Sequence, residues 1–388
     1  MKRNIKSFVF TSLFTSALFS FNAFSAQFPV TVTDVAGRHI TIDHQPENVA
    51  LSVGRIFPVL EILYQQDAAK HLVAWGDDMR ISAPSMYANY SKAYPSLLKI
   101  TTIGKIKSGE FDVESFINLP TKPDLFIVDL SSIKIAQDKG LLDKLERAGI
   151  NVIAIDFKED PLNNTVSSIN SLSKALGREQ EGNAFTRYYQ AHVDHLKSTV
   201  SALPESEKNK RVFIERAAGY GNSCCRTFAT GNMGTYIPFL HAINVADKPL
   251  KGAITGNMSP ETVIVSQPDV YIMLTTGWID KNGNPSNGIP LGYAPTKTQA
   301  ISQATSKLMD RHWMQALSSY QSKNIYSIYM PFYNSPYNLI AMEYFAKWIH
   351  PEQFKSLHPE HTFEEMHSQF TGRAVSGTFG QQNSAVMK

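Results

Sequence analysis

Glu114 opens a stretch that passes through Pro123-Asp124 into the apolar run 125–128, and Glu261 opens a second that passes through Pro268-Asp269 into the run 270–274. Each reads as a glutamate on a short surface helix, a turn set by Pro-Asp, and a buried strand of apolar and β-branched residues. The same α/β unit is therefore used twice, and two such lobes joined once leave a cleft between them. Two matching exposed glutamates suit a two-point dock.

The amino terminus points to export. Lys2, Arg3 and Lys6 precede the apolar run 8–24, and the small residues Ala23 and Ser25 stand in cleavage-site spacing, so residues 1–25 read as a signal peptide cut after Ser25. A membrane anchor is disfavoured because Thr11, Ser12, Thr15, Ser16, Ser20 and Asn22 interrupt the run. No cysteine lies near the junction to carry a lipid. Cleavage removes three of the 37 basic residues and none of the 34 acidic ones, which leaves a neutral mature chain. The short basic clusters 105–107 and 208–211 are too small to bind a polyanion, so nucleic acid is not an expected partner. About 360 mature residues exceed one ordinary core and suit two domains.

Strands are expected at 49–53, 72–75, 125–129 and 152–156 in the first lobe, with helix-length segments between them, which implies a parallel sheet. A hairpin at 30–35 and 39–42, turning at Ala36-Gly37-Arg38, precedes it. The second lobe repeats the alternation at 211–215, 270–274 and 325–329, with helices at 308–319 and 339–349. Between the lobes, a helical segment begins at Pro161, pauses at Gly177 and resumes to about Ala202. Read as one continuous helix, its second portion spans ~35 Å and limits how far the lobes swing. The fold class is thus α/β: two similar lobes with parallel sheets joined by one long α-helix, with a ligand cleft between them. The boundaries are 26–162 for the first lobe, 163–203 for the connector and 204–388 for the second lobe.

In open parallel sheets the loops after the carboxyl ends of the strands form the binding crevice. In the first lobe this rule selects Arg55, then Trp75 with Arg80 and Tyr87. In the second it selects Arg216 with Tyr220, then Trp278, then Tyr333 and Tyr337. Arginine forks and aromatic faces together favour a guest with flat faces and negative charge. The stretch 216–235, RAAGYGNSCCRTFATGNMGT, is glycine-rich and holds both cysteines of the chain. Cys224 and Cys225, adjacent in an oxidising compartment, are candidates for a vicinal disulfide that stiffens the loop beside Arg226; free thiols and an intermolecular bridge are the alternatives.

The cysteine pair also raises a thiol oxidoreductase, but such enzymes usually separate the two thiols by two residues at a helix start. His358, His361 and His367, with Glu364 and Glu365, match no metal-binding spacing and read as a solvated helix. There is no G-x-S-x-G turn, P-loop or HExxH sequence. A binding protein is expected rather than an enzyme, with no cofactor of its own.

The export segment, the opening TVTDVAGRHITI before a strand ending LSVG, the paired glutamate and Pro-Asp segments and the interlobe helix together resemble a periplasmic binding protein of the helical-backbone class. The resemblance covers nearly all of residues 27–370. It implies capture of a metal chelate and its delivery to the permease subunits of an ATP-binding-cassette importer, of the kind that serves iron chelates, haem and cobalamin. Among these an anionic ferric siderophore best suits the arginines and aromatics, with the iron kept in its chelator and few or no protein ligands to the metal. Glu114 and Glu261 match the family's two acidic docking positions. A monomer is expected.

Overall fold

A computed structural model describes residues 27–221, 224–280, 282–293 and 298–386; the signal segment 1–25 lies outside them. The first lobe holds five parallel strands, β1 (Val49–Leu51), β2 (Leu72–Gly76), β3 (Thr101–Ile103), β4 (Leu125–Asp129) and β5 (Asn151–Ile155), in the order β3-β2-β1-β4-β5. The second holds β6 (Arg211–Glu215), β7 (Ile243–Asn244), β8 (Val270–Thr275), β9 (Ile325–Tyr329) and β10 (Gly380–Gln382), in the order β7-β6-β8-β9-β10. All its pairs are parallel except β9 with β10. Strands β4, β8 and β9 are buried along their whole length, as expected of strands covered on both faces. The short strands β3, β7 and β10 escape the sequence reading because two to three residues carry no periodic signal.

The repeated Pro-Asp has a specific task. Asp124 Oδ2 accepts the backbone N–H groups of Glu47 and Asn48, just before β1, at 3.0 and 2.9 Å. Asp269 Oδ2 accepts that of Arg211, the first residue of β6, at 2.8 Å. In each lobe the aspartate thus pins the start of its strand to the neighbouring strand, which fixes register at the sheet's centre. The hairpin Val30–Thr33 and His39–Ile42 is closed by Asp34, whose carboxylate takes the N–H of Arg38 and reaches the N–H of Ala154 in β5.

The connector is not one continuous rod. Helix α1 (Pro161–Ala175) ends at Gly177, which has φ +65°, and helix α2 (Glu179–Ser201) starts afresh. An ideal Cβ at Gly182 would lie 2.4 Å from Ser173 Cβ, so α2 folds back tightly against α1. Helix α1 packs on the first lobe and also touches the turn Asn232–Thr235 of the second, and α2 bridges helix Pro58–Tyr64 of the first lobe to helix Asn338–Ile349 of the second. The helix expected at 308–319 is displaced, because the chain forms a helix at Thr298–Met309 and then a short tight turn at His312–Ala316.

Side chains alternate across the first sheet. Val49, Leu51, Leu125, Ile127 and Ile153 face inward and join a core that continues through α2 into the second lobe. Ala50, Ala74, Phe126, Val128 and Val152 face outward into a separate small core with Phe111 and Phe116. The lobes are also tied by polar contacts. Asn338 donates to Phe157 O at 3.2 Å and Thr165 Oγ1 at 2.8 Å, and buried Glu61 pairs with Arg373 and accepts the hydroxyls of Tyr90 and Tyr94.

Candidate ligand-binding site

Strand order reverses between β1 and β4 in the first lobe and between β6 and β8 in the second. Such reversals leave a crevice at the carboxyl ends of the strands. Arg55 lies in the turn Gly54–Ile56 directly after β1, and Arg216 directly follows β6. The two arginines line one hollow of about 150 Å³ with Tyr220, Arg226, Trp278 and Tyr333; Ser82, Ala217, Met330 and Pro331 complete it.

On the first-lobe wall, Arg55 Nε donates to Asp78 Oδ2 at 2.5 Å, and its Nη1 donates to the Tyr333 hydroxyl at 2.6 Å. The guanidinium also lies 5.2 Å from the Tyr333 ring centre, so one contact from this arginine spans the cleft. Asp78 is fixed in turn by the N–H of Gly54 at 2.5 Å. Burial alone would lower the Arg55 pKa, but the charges of Tyr333 and Asp78 and their hydrogen bonds raise it above its ordinary value. Next to this pair, Lys158 Nζ sits 2.9 Å from Asp129 Oδ2 at the end of β4, and Lys107 lies 3.9 Å from the same oxygen. Burial pushes the Asp129 carboxyl up, but Lys158, Ser131 and Ser132 outweigh it and hold it down to about 2.

The second-lobe wall is different. Arg216 Nε is buried without a hydrogen-bond partner, and its guanidinium lies 5.4 Å from the Phe228 ring. Arg226 lies 5.9 Å from the Tyr220 ring, and Tyr220 meets Trp278 edge-on at 5.5 Å. Neither arginine has an ion pair among the described residues, although the Arg216 N–H donates to Arg226 O at 2.7 Å and so fixes their spacing. Gly219 makes the loop possible: it has φ +86°, and an ideal Cβ there would lie 2.4 Å from Asn287 O. Tyr220 is 53% exposed and forms the rim.

Of the ten residues the strand-end rule and the loop suggested, six line the hollow and four do not. Trp75 points into the core, where it packs edge-on against Phe57 and beside Tyr87. Tyr87 is half-buried on helix Pro84–Ala93, behind Trp75. Arg80 is turned outward by helix Asp78–Ser82 and pairs with Asp77. Tyr337 is buried beneath the site, stacked 4.8 Å from His367. Arginines and aromatics at strand ends do not point to Asp78, Asp129, Lys107 or Lys158, although Asp78 and Asp129 stand at or just past strand carboxyl ends, where the same rule applies.

Cys224 and Cys225 are bonded to each other, and the backbone of buried Cys225 exchanges two hydrogen bonds with Met258. Cys225 is buried and Cys224 half-buried, and neither is a free thiol. The tail histidines sit on helix Pro359–Phe370, which is not simply solvated: Phe363, Met366, His367 and Phe370 are buried. His358, at the N-cap position of the helix, and His361, near Glu364 and Glu365, are both exposed. No metal-ligating cluster of three or more such side chains occurs among the described residues.

Glu114 and Glu261 occupy equivalent places, each at the second position of a short helix, Val113–Ile117 capped by Asp112 and Pro260–Ser266 capped by Ser259. Both are exposed. Because each helix runs back between parallel strands, its amino end lies on the same side as the cleft loops. Glu114 also meets Lys144 at 3.1 Å.

These features define a two-lobed α/β fold, with a hollow at the two switch points. No family model matches the chain, and no curated protein matches it in sequence. Among solved structures, the TroA-like periplasmic binding protein FepB from Veillonella parvula matches with a TM-score of 0.81 at 22% identity, over 91% of this chain and 99% of that one. The molybdate periplasmic binding protein MolA of Haemophilus influenzae, solved with molybdate bound, gives 0.63 at 15% identity, over 90% and 99%. The periplasmic vitamin B12 binding protein BtuF of Vibrio cholerae gives 0.54 at 17%, over 79% and 98%. The chain therefore has the TroA-like periplasmic binding protein fold.

Proposed function

We propose that the chain is a periplasmic solute-binding protein that captures an anionic metal chelate, a ferric siderophore by preference, and delivers it to an ATP-binding-cassette importer. The observation that carries this reading is the unpaired pair Arg216 and Arg226 beside aromatic faces, in a hollow closed from the other lobe by Arg55. Charge-assisted bonds to two such arginines contribute ~1.5–3 kcal/mol each, and aromatic contacts ~0.5–1.5 kcal/mol apiece. That suffices for micromolar capture, ~8 kcal/mol, after the cost of association. The hollow, at about 150 Å³, is smaller than the ~300 Å³ at which ligand pockets usually begin. The guest thus inserts its charged face and leaves the rest against the Tyr220 rim, which speaks against an engulfed cobalamin or haem.

Titration with anionic ferric chelates, followed by quenching of Trp278 fluorescence, tests the reading; no quenching with any of them would end it. Docking is tested separately. Reversing Glu114 and Glu261 together to lysine is expected to spare chelate binding and abolish uptake in cells, and intact uptake would remove their assignment.

A further inference from the structure

The chelate reading leaves open how much negative charge the site accepts, and this inference rests on that reading. Three arginines line the hollow, and one carboxylate, that of Asp78, is bonded to one of them. Asp78 is only 8% exposed and takes two hydrogen bonds, from Arg55 Nε and from the N–H of Gly54. It therefore cannot turn away when a guest arrives. Beyond it, the two lysines Lys158 and Lys107 are matched by two carboxylates, Asp129 and Glu159, the latter 3.8 Å from Lys158 Nζ. The first-lobe wall thus offers donors with almost no net charge, and the excess of two positive charges sits on Arg216 and Arg226.

We infer that Asp78 is a specificity-determining residue: by cancelling Arg55 it limits the hollow to guests whose inserted face carries about two negative charges. A guest with more charge than the two second-lobe arginines can neutralise meets the fixed carboxylate at close range, where the medium screens poorly. A neutral guest gains nothing from Arg216 and Arg226. Arg55 with Asp78 then orients the guest through directed N–H groups without adding attraction for charge.

The test uses the mature protein and three ferric chelates of graded charge: the neutral tris-acetohydroxamate, a dianionic citrate complex and the trianionic tris-catecholate. Affinity is read by fluorescence quenching. The wild type is expected to prefer the dianion, and Asp78→Asn to strengthen the trianion about fivefold to tenfold while changing the neutral chelate less than twofold. The paired variant Arg55→Met with Asp78→Asn restores the net charge and is expected to keep the wild-type order of preference; it also decides the matter if the single variant fails to fold. Equal gains for all three chelates in Asp78→Asn, or a changed order of preference in the paired variant, would overturn the inference while leaving chelate capture intact. If the wild type binds none of the three, both the capture reading and this inference fall.

Discussion

Arg55 and Arg216 hold matching places, each in the first loop after the strand where its sheet reverses order, yet their surroundings differ. Arg55 is held by a carboxylate and a phenol. Arg216 has a buried Nε with no partner and a phenyl ring beneath it. In the proposed capture, two halves with a shared plan would divide the work: the first lobe would supply fixed direction, and the second net charge. Placing attraction on one wall only means that a guest can land there before the other wall engages, since long-range attraction governs encounter more than final tightness.

The largest effect should come from the unpaired wall. Replacing Arg216 and Arg226 by alanine is expected to weaken binding of an anionic ferric chelate about a hundredfold or more and to flatten its salt dependence, as measured by titration at two ionic strengths. A loss under tenfold would mean that the second lobe does not carry the charge.

Next comes the junction between the lobes, where His367 is buried against Tyr337 and near Arg373. Burial first, and then the charge of Arg373, push its pKa down to about 3 from 6.5. A lowered pKa means the folded state binds fewer protons than the unfolded one between these values. Its contribution is therefore complete above about pH 6.5 and declines as the pH falls toward 3, by about 2 kcal/mol at pH 5. Urea unfolding at pH 7 and pH 5 should show a drop in stability smaller by that amount in His367→Gln than in the wild type; equal drops would place the acid sensitivity elsewhere.

A smaller change is expected on the paired wall. Removing Arg55 and Asp78 together, as Met and Asn, should cost a dianionic chelate less than about tenfold, because the two charges leave together. A hundredfold loss would show that the walls share the work equally. The smallest effect is on shape. With α2 and the polar ties at Asn338 and Glu61 joining the lobes, X-ray scattering with and without a bound chelate should show the radius of gyration changing by less than about 2 Å, against ~20 Å for the chain.

The frame was legible because its signals are long or repeated. Strands β4, β6 and β9 fall where apolar runs place them, and the two Pro-Asp turns announce a duplicated unit. The site was legible only as a set of strand ends. Which strand-end side chain faces the hollow depends on half-turns that no spacing encodes, and so Trp75 and Arg80 were selected but point into the core and into solvent. Counter-charges were overlooked for a related reason: Asp78 reads as an ordinary surface acid until the fold brings it beside Arg55. The break at Gly177 was visible as a pause but not as a reversal, since a left-handed glycine can end a helix or merely interrupt it.

The inward face of the first sheet has no core of its own; it shares one with α2 and the second half. Neither half is therefore a portable module. A gene fragment for one of them would send its most apolar surface into water, and heating the intact chain should melt both together. Retuning for a new guest is confined to the mouth, one loop at a time.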